Sequence, residues 1–289
     1  MNCRNCNSDK VILFHDKVWS IDNGKVYKCN DCELIFINSM MSENEEKEFY
    51  ENYNEHVKKR GVTVENSVEE FHEKSKTTAN ERLNVVSKFF NNKKVLEIGS
   101  STGAFLSLLN DCNTNACELA TDNLNYSKQF INGKAFNSLD DVDENNFDVI
   151  CMFHVFEHIR EPIIFLNTCK TKLNRGGRIV IEVPHSNDPL ITLYDCKEFK
   201  DFVFQPMHPM VHNEKSLDYI FTKSGFKKEE VIYHQRYGLD NHLSWFKNNK
   251  PGGDNTLREL FSTNDDYKNK LKSIKQTDTI FYIATVIVN

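Results

Sequence analysis

The sequence predicts an α/β protein in which a doubly wound, seven-stranded sheet follows a small cysteine-rich module. Three observations support this prediction. From residue 94 onward, short apolar runs alternate with amphipathic helical segments, which is the pattern of a mainly parallel sheet. The first of these runs, Lys94–Ile98, passes directly into a glycine-containing turn. Two tight C-x-x-C pairs precede the whole alternating region.

Length and composition limit the classes of protein to consider. A chain of 289 residues suits one large domain with small attachments and is long enough to bury a full core. Its net charge of −6 disfavours a broad nucleic-acid footprint. No apolar run approaches the length of a membrane helix, and the N-terminus shows no signal-peptide pattern. We therefore expect a cytoplasmic protein without a membrane partner, whose oligomeric state the sequence leaves open.

The N-terminal cysteines have the spacing of a metal site. Each C-x-x-C pair, Cys3/Cys6 and Cys29/Cys32, presents two thiolates to one tetrahedral metal. A site closed by four thiolates keeps no open coordination position, so the expected metal is a structural Zn²⁺. A redox dithiol is the alternative, and the lack of a thioredoxin-like βαβ pattern around either pair disfavours it.

Residues 1–39 are predicted to form a zinc ribbon around these cysteines. Apolar runs predict short strands at residues 11–14, 18–21, 25–28 and 34–37. Asn23-Gly24 is typical of a hairpin turn. Basic and acidic side chains balance within this segment, so its electrostatics give no support to a nucleic-acid role.

Residues 40–92 are predicted to form a helical linker or lid. One helix is expected at residues 42–60, where Ser42 and Glu45 form a capping-box pattern, and a second at residues 68–90. Tyr50 and Tyr53 lie on one face of the first helix. They either pack against the neighbouring domain or contact a ligand.

The sheet domain is predicted over residues 93–289. Strands are expected at residues 94–98, 115–119, 134–136, 147–153, 178–183, 229–234 and 279–288, and helices at residues 104–110, 123–130, 162–173 and 215–224. Gly225 follows the last of these helices as a C-cap. The connections at residues 184–213 and 236–278 lie where this architecture places its substrate loops.

The turn after the first sheet strand is the most informative segment. Its sequence is Glu97-Ile98-Gly99-Ser100-Ser101-Thr102-Gly103. Glycine permits a sharp turn and a close approach of ligand to backbone, and the helix expected next leaves its first amides free. An acid at the end of a strand holds an amine or a hydroxyl. These features predict a nucleotide-type site at the carboxyl ends of the strands, although a turn without a ligand would look similar.

Together with the segments that follow it, this loop resembles the class I S-adenosylmethionine-dependent methyltransferases over about residues 80–235. The runs at residues 147–158 and 175–184 are similar to the fourth and fifth strands of that family. The resemblance implies a Rossmann-like fold and S-adenosylmethionine as the cofactor. One departure is Ser101, which replaces the middle glycine of the loop and would be strained at a positive φ.

The resemblance also implies which residues bind the cofactor. The methionine part would lie over the loop, on Glu97, Gly99, Ser100, Ser101 and Gly103. Glu118, after the second strand, would bind the two ribose hydroxyls, which a carboxylate can accept together. The adenine would be read after the third strand and the site completed after the fourth, by Asn137, Ser138, Leu139, Phe153 and His154.

The cysteine module resembles the zinc-binding segment that precedes the cofactor domain in sugar and natural-product methyltransferases. Those enzymes carry a tyrosine-containing linker where Tyr50 and Tyr53 stand here. Their additional C-terminal domain is not evident in this chain. The resemblance therefore implies a small-molecule acceptor but leaves its identity open.

Histidines supply the candidate catalytic groups. Methyl transfer requires a collinear nucleophile, carbon and sulfur, and a base when the acceptor is a hydroxyl. Histidine suits this role because its pKa lies near neutrality. By resemblance the general base is expected to be His208, then His185, with His158 as a further candidate. The expected acceptor contacts are Tyr50, Tyr53, Tyr194 and His212, with packing of its loop against the sheet as the alternative for Tyr194. For each histidine the alternative is a structural role in its loop.

The predicted function is therefore methyl transfer to a small acceptor, namely a sugar, a nucleotide-linked or phosphorylated sugar, or a related precursor. Oxygen is the expected methyl acceptor, followed by carbon or nitrogen. An RNA methyltransferase that grips nucleic acid with its ribbon is an alternative, which the acidic net charge disfavours. A non-catalytic cofactor-binding protein is another. A dehydrogenase is disfavoured because the loop lacks the G-x-G-x-x-G spacing.

Overall fold

The computed structural model describes residues 1–38, 67–261 and 265–288, together with the single positions 45 and 59. The helix predicted at residues 42–60, with its Tyr50 and Tyr53, therefore lies outside the described residues. No helix in the described ranges is both long enough and apolar enough to span a membrane.

The N-terminal module consists of three antiparallel strands, β1 (Val11–His15), β2 (Val26–Cys29) and β3 (Ile35–Ile37). The strand predicted at residues 18–21 is wrong. Val18 and Ile21 form one isolated bridge across a tight turn, because the chain reverses at Ser20, whose φ is 58°. A Cβ on Gly24 would lie 2.7 Å from the Cβ of Val18, so only glycine fits beside this turn.

A helix and a strand then lead into the larger sheet. Helix α1 (Val68–Val86) begins at Ser67, whose hydroxyl accepts a hydrogen bond from the backbone amide of Glu70. It continues through a 3₁₀ turn, Ser87–Phe89, into strand β4 (Lys94–Ile98). The predicted helix at residues 68–90 is thus confirmed with a tighter last turn, and the strand prediction is confirmed.

The remaining elements include the other predicted strands and helices of the sheet domain except the helix at residues 104–110, with bounds shifted by a few residues, and further short elements in the two connections. In chain order they are β5 (Asn113–Cys117), α2 (Thr121–Ser127), β6 (Ala135–Phe136), β7 (Phe147–Phe153), α3 (Pro162–Lys172), β8 (Leu173–Pro184), α4 (Pro189–Thr192), α5 (Lys197–Val203), β9 (Met210–Val211), α6 (Glu214–Lys223), β10 (Phe226–His234), α7 (Leu239–Asn248), α8 (Asn255–Phe261), α9 (Asp265–Ser273) and β11 (Thr279–Val286). The two predicted substrate connections thus contain short helices.

Seven of these strands form one sheet in the order β10-β11-β8-β7-β4-β5-β6. Strand β11 is antiparallel to both of its neighbours, and the five strands from β8 to β6 are parallel. The predicted Rossmann-like, seven-stranded α/β sheet is confirmed. Strand β4 lies between β5 and β7, so the strand order reverses there and leaves a crevice at the carboxyl ends of these strands.

The helix predicted at residues 104–110 is wrong. Only Leu106–Leu108 is helical, as a 3₁₀ turn, after one wider turn in which the amide of Ser107 bonds to the carbonyl of Gly103. The physical reason lies in strand β5, which begins at Asn113, two residues before the predicted start. The chain must therefore reverse at residues 109–112, which leaves too little length for an α-helix.

The core lies on both faces of the sheet. Alternate residues of β4 point to opposite faces, as the two-residue period of a strand requires. Val95 packs in a cluster with Phe105 and Phe281, and Leu96 packs in a second cluster with Tyr282. These buried faces hold the carboxyl ends of β4, β5 and β7 in fixed relation.

The N-terminal module joins the larger domain through a shared sheet. Strand β9 pairs antiparallel with β3, opposing Val211 to Ile35 and Met210 to Phe36, and gives a four-stranded sheet in the order β1-β2-β3-β9. Strand β9 belongs to the predicted substrate connection at residues 184–213. The cysteine module is thus attached to the segment that carries His208 and His212.

Candidate cofactor and catalytic site

The glycine loop after β4 is held in a tight, left-handed geometry. Gly99, Ser101 and Gly103 have φ values of 70°, 48° and 77°. A Cβ on Gly99 would lie 2.4 Å from Cγ2 of Val155, so the loop requires glycine there. Ser101 has a positive φ, a conformation in which a residue other than glycine is strained. Its amide donates to Oε2 of Glu118 at 2.8 Å, which helps to stabilise this geometry.

The amides of this loop are largely occupied by the protein itself. Those of Gly99 and Ser100 donate to the carbonyl of Cys117 at 2.8 and 3.2 Å, and that of Gly103 donates to the carbonyl of Ser100 at 2.9 Å. The expectation of free amides at a helix start is therefore wrong for these residues, because no α-helix begins there. Side chains are left as the main polar groups for a ligand.

A cavity of about 230 Å³ opens beside the loop. Its lining includes Glu97, Ser100, Arg82 and Phe153, with further residues from α1. Oε2 of Glu97 and Oγ of Ser100 are buried and have no hydrogen-bond partner among the described residues. Burial raises the pKa of Glu97 to about 8, an effect that the Glu118 charge increases and the Arg82 charge opposes. An ammonium group would partner this carboxylate, so the site fits the amino-acid end of S-adenosylmethionine.

Glu118 lies directly after β5, between the loop and helix α2. Its Oε2 accepts from the amide of Ser101 and its Oε1 from the amide of Ala120, both at 2.8 Å. A carboxylate has about four lone-pair positions, so each oxygen retains one for a hydroxyl. The structure therefore places Glu118 beside the loop, and its role at the ribose stays a prediction.

The three residues predicted to read the adenine follow β6 directly. Asn137 is exposed, and the hydroxyl of Ser138 donates to Oδ2 of Asp141 at 2.8 Å. Leu139 is half-buried against the core. The structure places all three beyond the carboxyl end of the edge strand, next to the strand that Glu118 follows, and does not test their contact with a base.

Replacing Glu118 by Ala should weaken cofactor binding by about 1–3 kcal/mol, because the ligand loses charge-assisted hydrogen bonds and the loop loses its acceptor at Ser101. Isothermal titration calorimetry with S-adenosylmethionine measures this change. Glu118→Gln is the matched control, since its amide oxygen still accepts hydrogen bonds, and it should lose less affinity. Wild-type affinity in Glu118→Ala would remove this residue from the site.

Charged residues connect the cavity to the histidines. The guanidinium of Arg82 contacts the carboxylate of Glu182 and lies 5.0 Å from the centre of the Phe153 ring. On the other side of Glu182, Oε1 lies 3.3 Å from Nε2 of His154. His154, which follows β7 with a φ of 55°, in turn donates from Nδ1 to Oε1 of Glu157 at 3.3 Å. The line of charges thus runs from the cavity wall to the end of β7.

The pKa of His154 lies above that of a free imidazole. Burial opposes charge on its ring, but the charge of Glu182 and the hydrogen bonds to Glu157 and Glu182 outweigh it and raise the pKa of His154 to about 9. The hydrogen bond from His154 and the charges of His158, His154 and His208 lower the pKa of Glu157 to about 2 against the effect of its burial. The pKa of Glu182 likewise lies well below its usual range, since His154 and Arg82 outweigh its burial. Both carboxylates therefore remain ionised.

His158 and His208 lie together at the outer end of this line. Nδ1 of His158 donates to the carbonyl of Met207 at 2.6 Å, so a neutral ring keeps its lone pair on Nε2. That nitrogen lies 4.0 Å from Oε1 of Glu157, and the two imidazole rings meet edge to face at 4.9 Å. Both histidines are half-buried, and the amide of Gln205 lies 3.3 Å from Nε2 of His208. The structure thus brings together two of the three predicted catalytic residues.

Glu157, His158 and His208 also offer three ligand atoms within 4.8 Å of one another. The carboxylate of Glu157 already binds Nδ1 of His154, whose Nε2 lies 3.2 Å from Nη1 of Arg236. The cluster thus brings two imidazoles and an ionised carboxylate together beyond the end of β7.

The other predicted acceptor-side residues lie elsewhere. The ring of His185 is buried, its Nδ1 bonds to the carbonyl of Thr277 at 3.1 Å, and burial lowers its pKa to about 4. It does not face the open cleft that the sequence predicts. His212 is also fully buried, and burial lowers its pKa to about 4. For both, burial favours the structural alternative. Tyr194 is exposed and bonds to the hydroxyl of Tyr267 at 2.7 Å.

Sequence reasoning missed Arg82, Glu157, Glu182 and Arg236 as members of the site. A signal existed for Glu182, which is an acid within the apolar run of a buried strand, where charged side chains are rare unless paired. Glu157 stands between the two histidines that the sequence did single out. Arg82 gave no such signal, because its position on α1 is typical of a solvated helix face.

The four cysteines of the N-terminal module converge on one point. The sulfur atoms of Cys3 and Cys32 are 3.5 Å apart, those of Cys6 and Cys29 are 3.6 Å apart, and all four lie within 4.8 Å of one another. The backbone amide of Cys32 points at the sulfur of Cys29 from 3.5 Å. Tetrahedral Zn–S bonds of about 2.3 Å would separate the sulfurs by about 3.8 Å, so these thiols fit a zinc ion.

A mainly parallel sheet with a glycine loop at its switch point, one acid near the end of β4 and another directly after β5 are features typical of an S-adenosylmethionine-dependent methyltransferase. This chain belongs to the methyltransferase domain family, whose sequence profile matches residues 71–231, more than half of its length. The predicted enzyme class and cofactor are thereby confirmed. No curated protein sequence gave a significant match.

Solved structures show the same architecture. A SAM-dependent methyltransferase from Archaeoglobus fulgidus is similar, with a TM-score of 0.51 and 17% identity, over 81% of this chain and 99% of that one. One from Aquifex aeolicus has a TM-score of 0.48 and 14% identity, over 76% of this chain and 97% of that one. At such identities the likeness concerns the fold alone, and only the Archaeoglobus fulgidus structure has a TM-score above 0.5.

Proposed function

We propose that this enzyme transfers the methyl group of S-adenosylmethionine to a hydroxyl of a small acceptor, namely a sugar or a nucleotide-linked or phosphorylated sugar. The observation that supports this proposal is the line of ionised side chains between the cofactor cavity and the half-buried pair His158 and His208. Two imidazoles that are only half-buried thus lie at the far end of a line of charges that begins at the cavity wall. The sugar class follows from the resemblance of the whole chain, cysteine module included.

The cofactor, when bound, supplies an electrophilic methyl group. Glu97 and Ser100 hold its amino-acid end, and Glu118 orients its ribose. His208 takes the proton from the acceptor hydroxyl, since its imidazole is only half-buried and histidine is the usual general base. His158 lies against it, with its ring oriented by the carbonyl of Met207. The ionised Glu157 stabilises the imidazolium that forms, because an opposite charge nearby favours the charged ring.

We propose a structural zinc ion for the four-thiolate cluster. The sulfur separations agree with a tetrahedral site, and a site with four protein ligands has no place for a substrate. The zinc would therefore stabilise the ribbon and take no part in methyl transfer.

An RNA acceptor remains the second candidate from sequence, and the structure offers a further argument against it. Several ribbon cations are paired with acids, such as Lys10 with Asp31 at 3.3 Å and Lys17 with Asp201 at 2.9 Å. Paired cations contribute little to the counterion release that drives nucleic-acid binding. We therefore keep the small-molecule acceptor as the proposal.

A methyl-transfer screen tests this function. The full chain, with methyl-labelled S-adenosylmethionine, is incubated with nucleotide sugars, phosphorylated sugars and structured RNA in parallel. We expect label in one sugar class only, on an oxygen atom identified by NMR of the product. Label in RNA, with strongly salt-sensitive binding, would contradict the proposal, and undetectable cofactor binding by calorimetry would contradict the cofactor site itself.

A further inference from the structure

The cysteine module holds the chain on both sides of His208. On the N-terminal side, the amide of Trp19 donates to the carbonyl of Phe204 at 2.8 Å. The Phe204 ring is fully buried in a cluster that includes Val18, Val26 and Ile35 of the module. The chain is thus fixed to the ribbon four residues before His208.

On the C-terminal side the attachment is continuous. The amide of Ile37 donates to the carbonyl of Pro209 at 3.2 Å, and the pairing of β9 with β3 follows at once. The side chain of Met210 packs in a buried cluster that includes Cys3, Cys29 and Cys32. Apolar contacts around the sulfur ligands therefore reach within two residues of His208.

A side-chain connection supports the helix that follows. The Nδ2 amide of Asn213 donates to Oε2 of Glu33 at 3.0 Å, which turns its oxygen toward the backbone amide of Ser216 at 2.9 Å. Asn213 is the N-cap of α6 in a complete capping box. Asn5 of the module also donates to the carbonyl of Ser216 at 3.1 Å. The module thus orients the start of α6 as well.

We propose that the metal-loaded ribbon is a positioning element of the catalytic site, which fixes the carbonyl of Met207 and the ring of His208. This inference rests on the proposed function. Only residues 205–208 lie between the two attachments, so little conformational freedom remains to them. The carbonyl of Met207 accepts a hydrogen bond from Nδ1 of His158. Displacement of residues 205–208 would therefore also allow the His158 ring to rotate and to change its tautomer.

Metal is the element on which this arrangement depends. Four-thiolate modules of this size gain their folding free energy from the ion, and chelation unfolds them. Without the ribbon, residues 204–211 would lose both attachments. The glycine loop is supported instead by β4, β5 and Glu118, so the cofactor site should survive metal removal.

Hydrogen exchange measured by mass spectrometry tests this dependence in the full chain. The purified protein should contain about one zinc per chain. After chelation we expect exchange of the peptides covering residues 204–213 to accelerate at least about tenfold. Peptides covering residues 94–103 should exchange as before, and affinity for S-adenosylmethionine should stay within about twofold. Addition of zinc should restore the slow exchange.

Variants separate positioning from general stability. Cys32→Ser should reproduce the faster exchange, and Glu33→Ala should do so in part, with rescue by Glu33→Gln. Lys10→Ala is the matched control, since Lys10 pairs with Asp31 on the exposed face of the same module. It should leave exchange unchanged. NMR of the imidazole nitrogens should show the Nδ1–H tautomer of His158 in the zinc form and a tautomer mixture after chelation.

Two results would overturn the inference. One is unchanged exchange at residues 204–213 after complete loss of zinc. The other is equal acceleration at residues 94–103, which would make the metal a stabiliser of the whole fold. Failure of the proposed function has a different signature, namely an absence of methyl transfer or of cofactor binding by the zinc-loaded protein, and it leaves the exchange result intact.

Discussion

His208→Ala should lower turnover by about 10²- to 10⁴-fold while leaving the affinity for S-adenosylmethionine unchanged, because the variant removes the proton acceptor and spares the cavity. The cavity is lined by residues of β4, its loop, α1 and β7, and His208 is not among them. Steady-state rates with the acceptor from the methyl-transfer screen, and calorimetry with the cofactor, measure the two quantities separately.

The rate profile against pH distinguishes a base from a binding residue. In the wild type, protonation of the base should depress the rate on the acid side, and this acid limb should disappear in His208→Gln, which hydrogen-bonds but takes up no proton. A residue that only binds the acceptor would instead raise KM and preserve the limb. Wild-type turnover in His208→Ala would reject this histidine as the base and direct attention to His158.

Local patterns predicted where the glycine loop and Glu118 lie. The apolar run of β4 and the glycine turn predict a ligand crevice at the carboxyl end of the sheet, and the next apolar run predicts Glu118 at the end of the neighbouring strand. These features depend on residues near one another in sequence, where strand period and turn chemistry are strong constraints. The 3₁₀ turn at Leu106–Leu108 was missed because it depends on where β5 begins.

The catalytic half depends on contacts that sequence patterns do not contain. Arg82 meets Glu182 across about a hundred positions of the chain, and Ile35 pairs with Val211 across a still longer separation. In a single sequence, neither residue of such a pair indicates which distant residue it will contact. The sequence also did not show that His185 and His212 are buried, since their neighbours along the chain are the same whether the rings face a cleft or the interior. Only tertiary packing separates these buried rings from His158 and His208.

Glu97 should show the strongest effect on cofactor affinity. Its carboxyl is buried and its pKa is about 8, so the free protein carries a protonated Glu97 at neutral pH. Binding of an ammonium group favours the carboxylate and lowers that pKa. Cofactor binding at pH 7 should therefore release up to one proton, and affinity should rise with pH until the pH reaches the pKa of Glu97 in the free protein, about 8. Affinity rises with pH because a cationic ligand binds the deprotonated form of Glu97, and this form becomes more populated as the pH rises.

Replacing Glu97 by Gln should weaken cofactor binding by about 3 kcal/mol, more than 100-fold, because a buried charge pair loses one partner. It should also abolish the proton release, which calorimetry in two buffers of different ionisation enthalpy measures directly. Glu118→Gln is the matched control, since it weakens binding but should retain the release from Glu97. If Glu97→Gln bound the cofactor with wild-type affinity, or the wild type released no proton, the ammonium would lie elsewhere. The orphaned oxygen of Glu97 would then need another partner, because a polar group in so buried a position is costly to retain without a hydrogen bond.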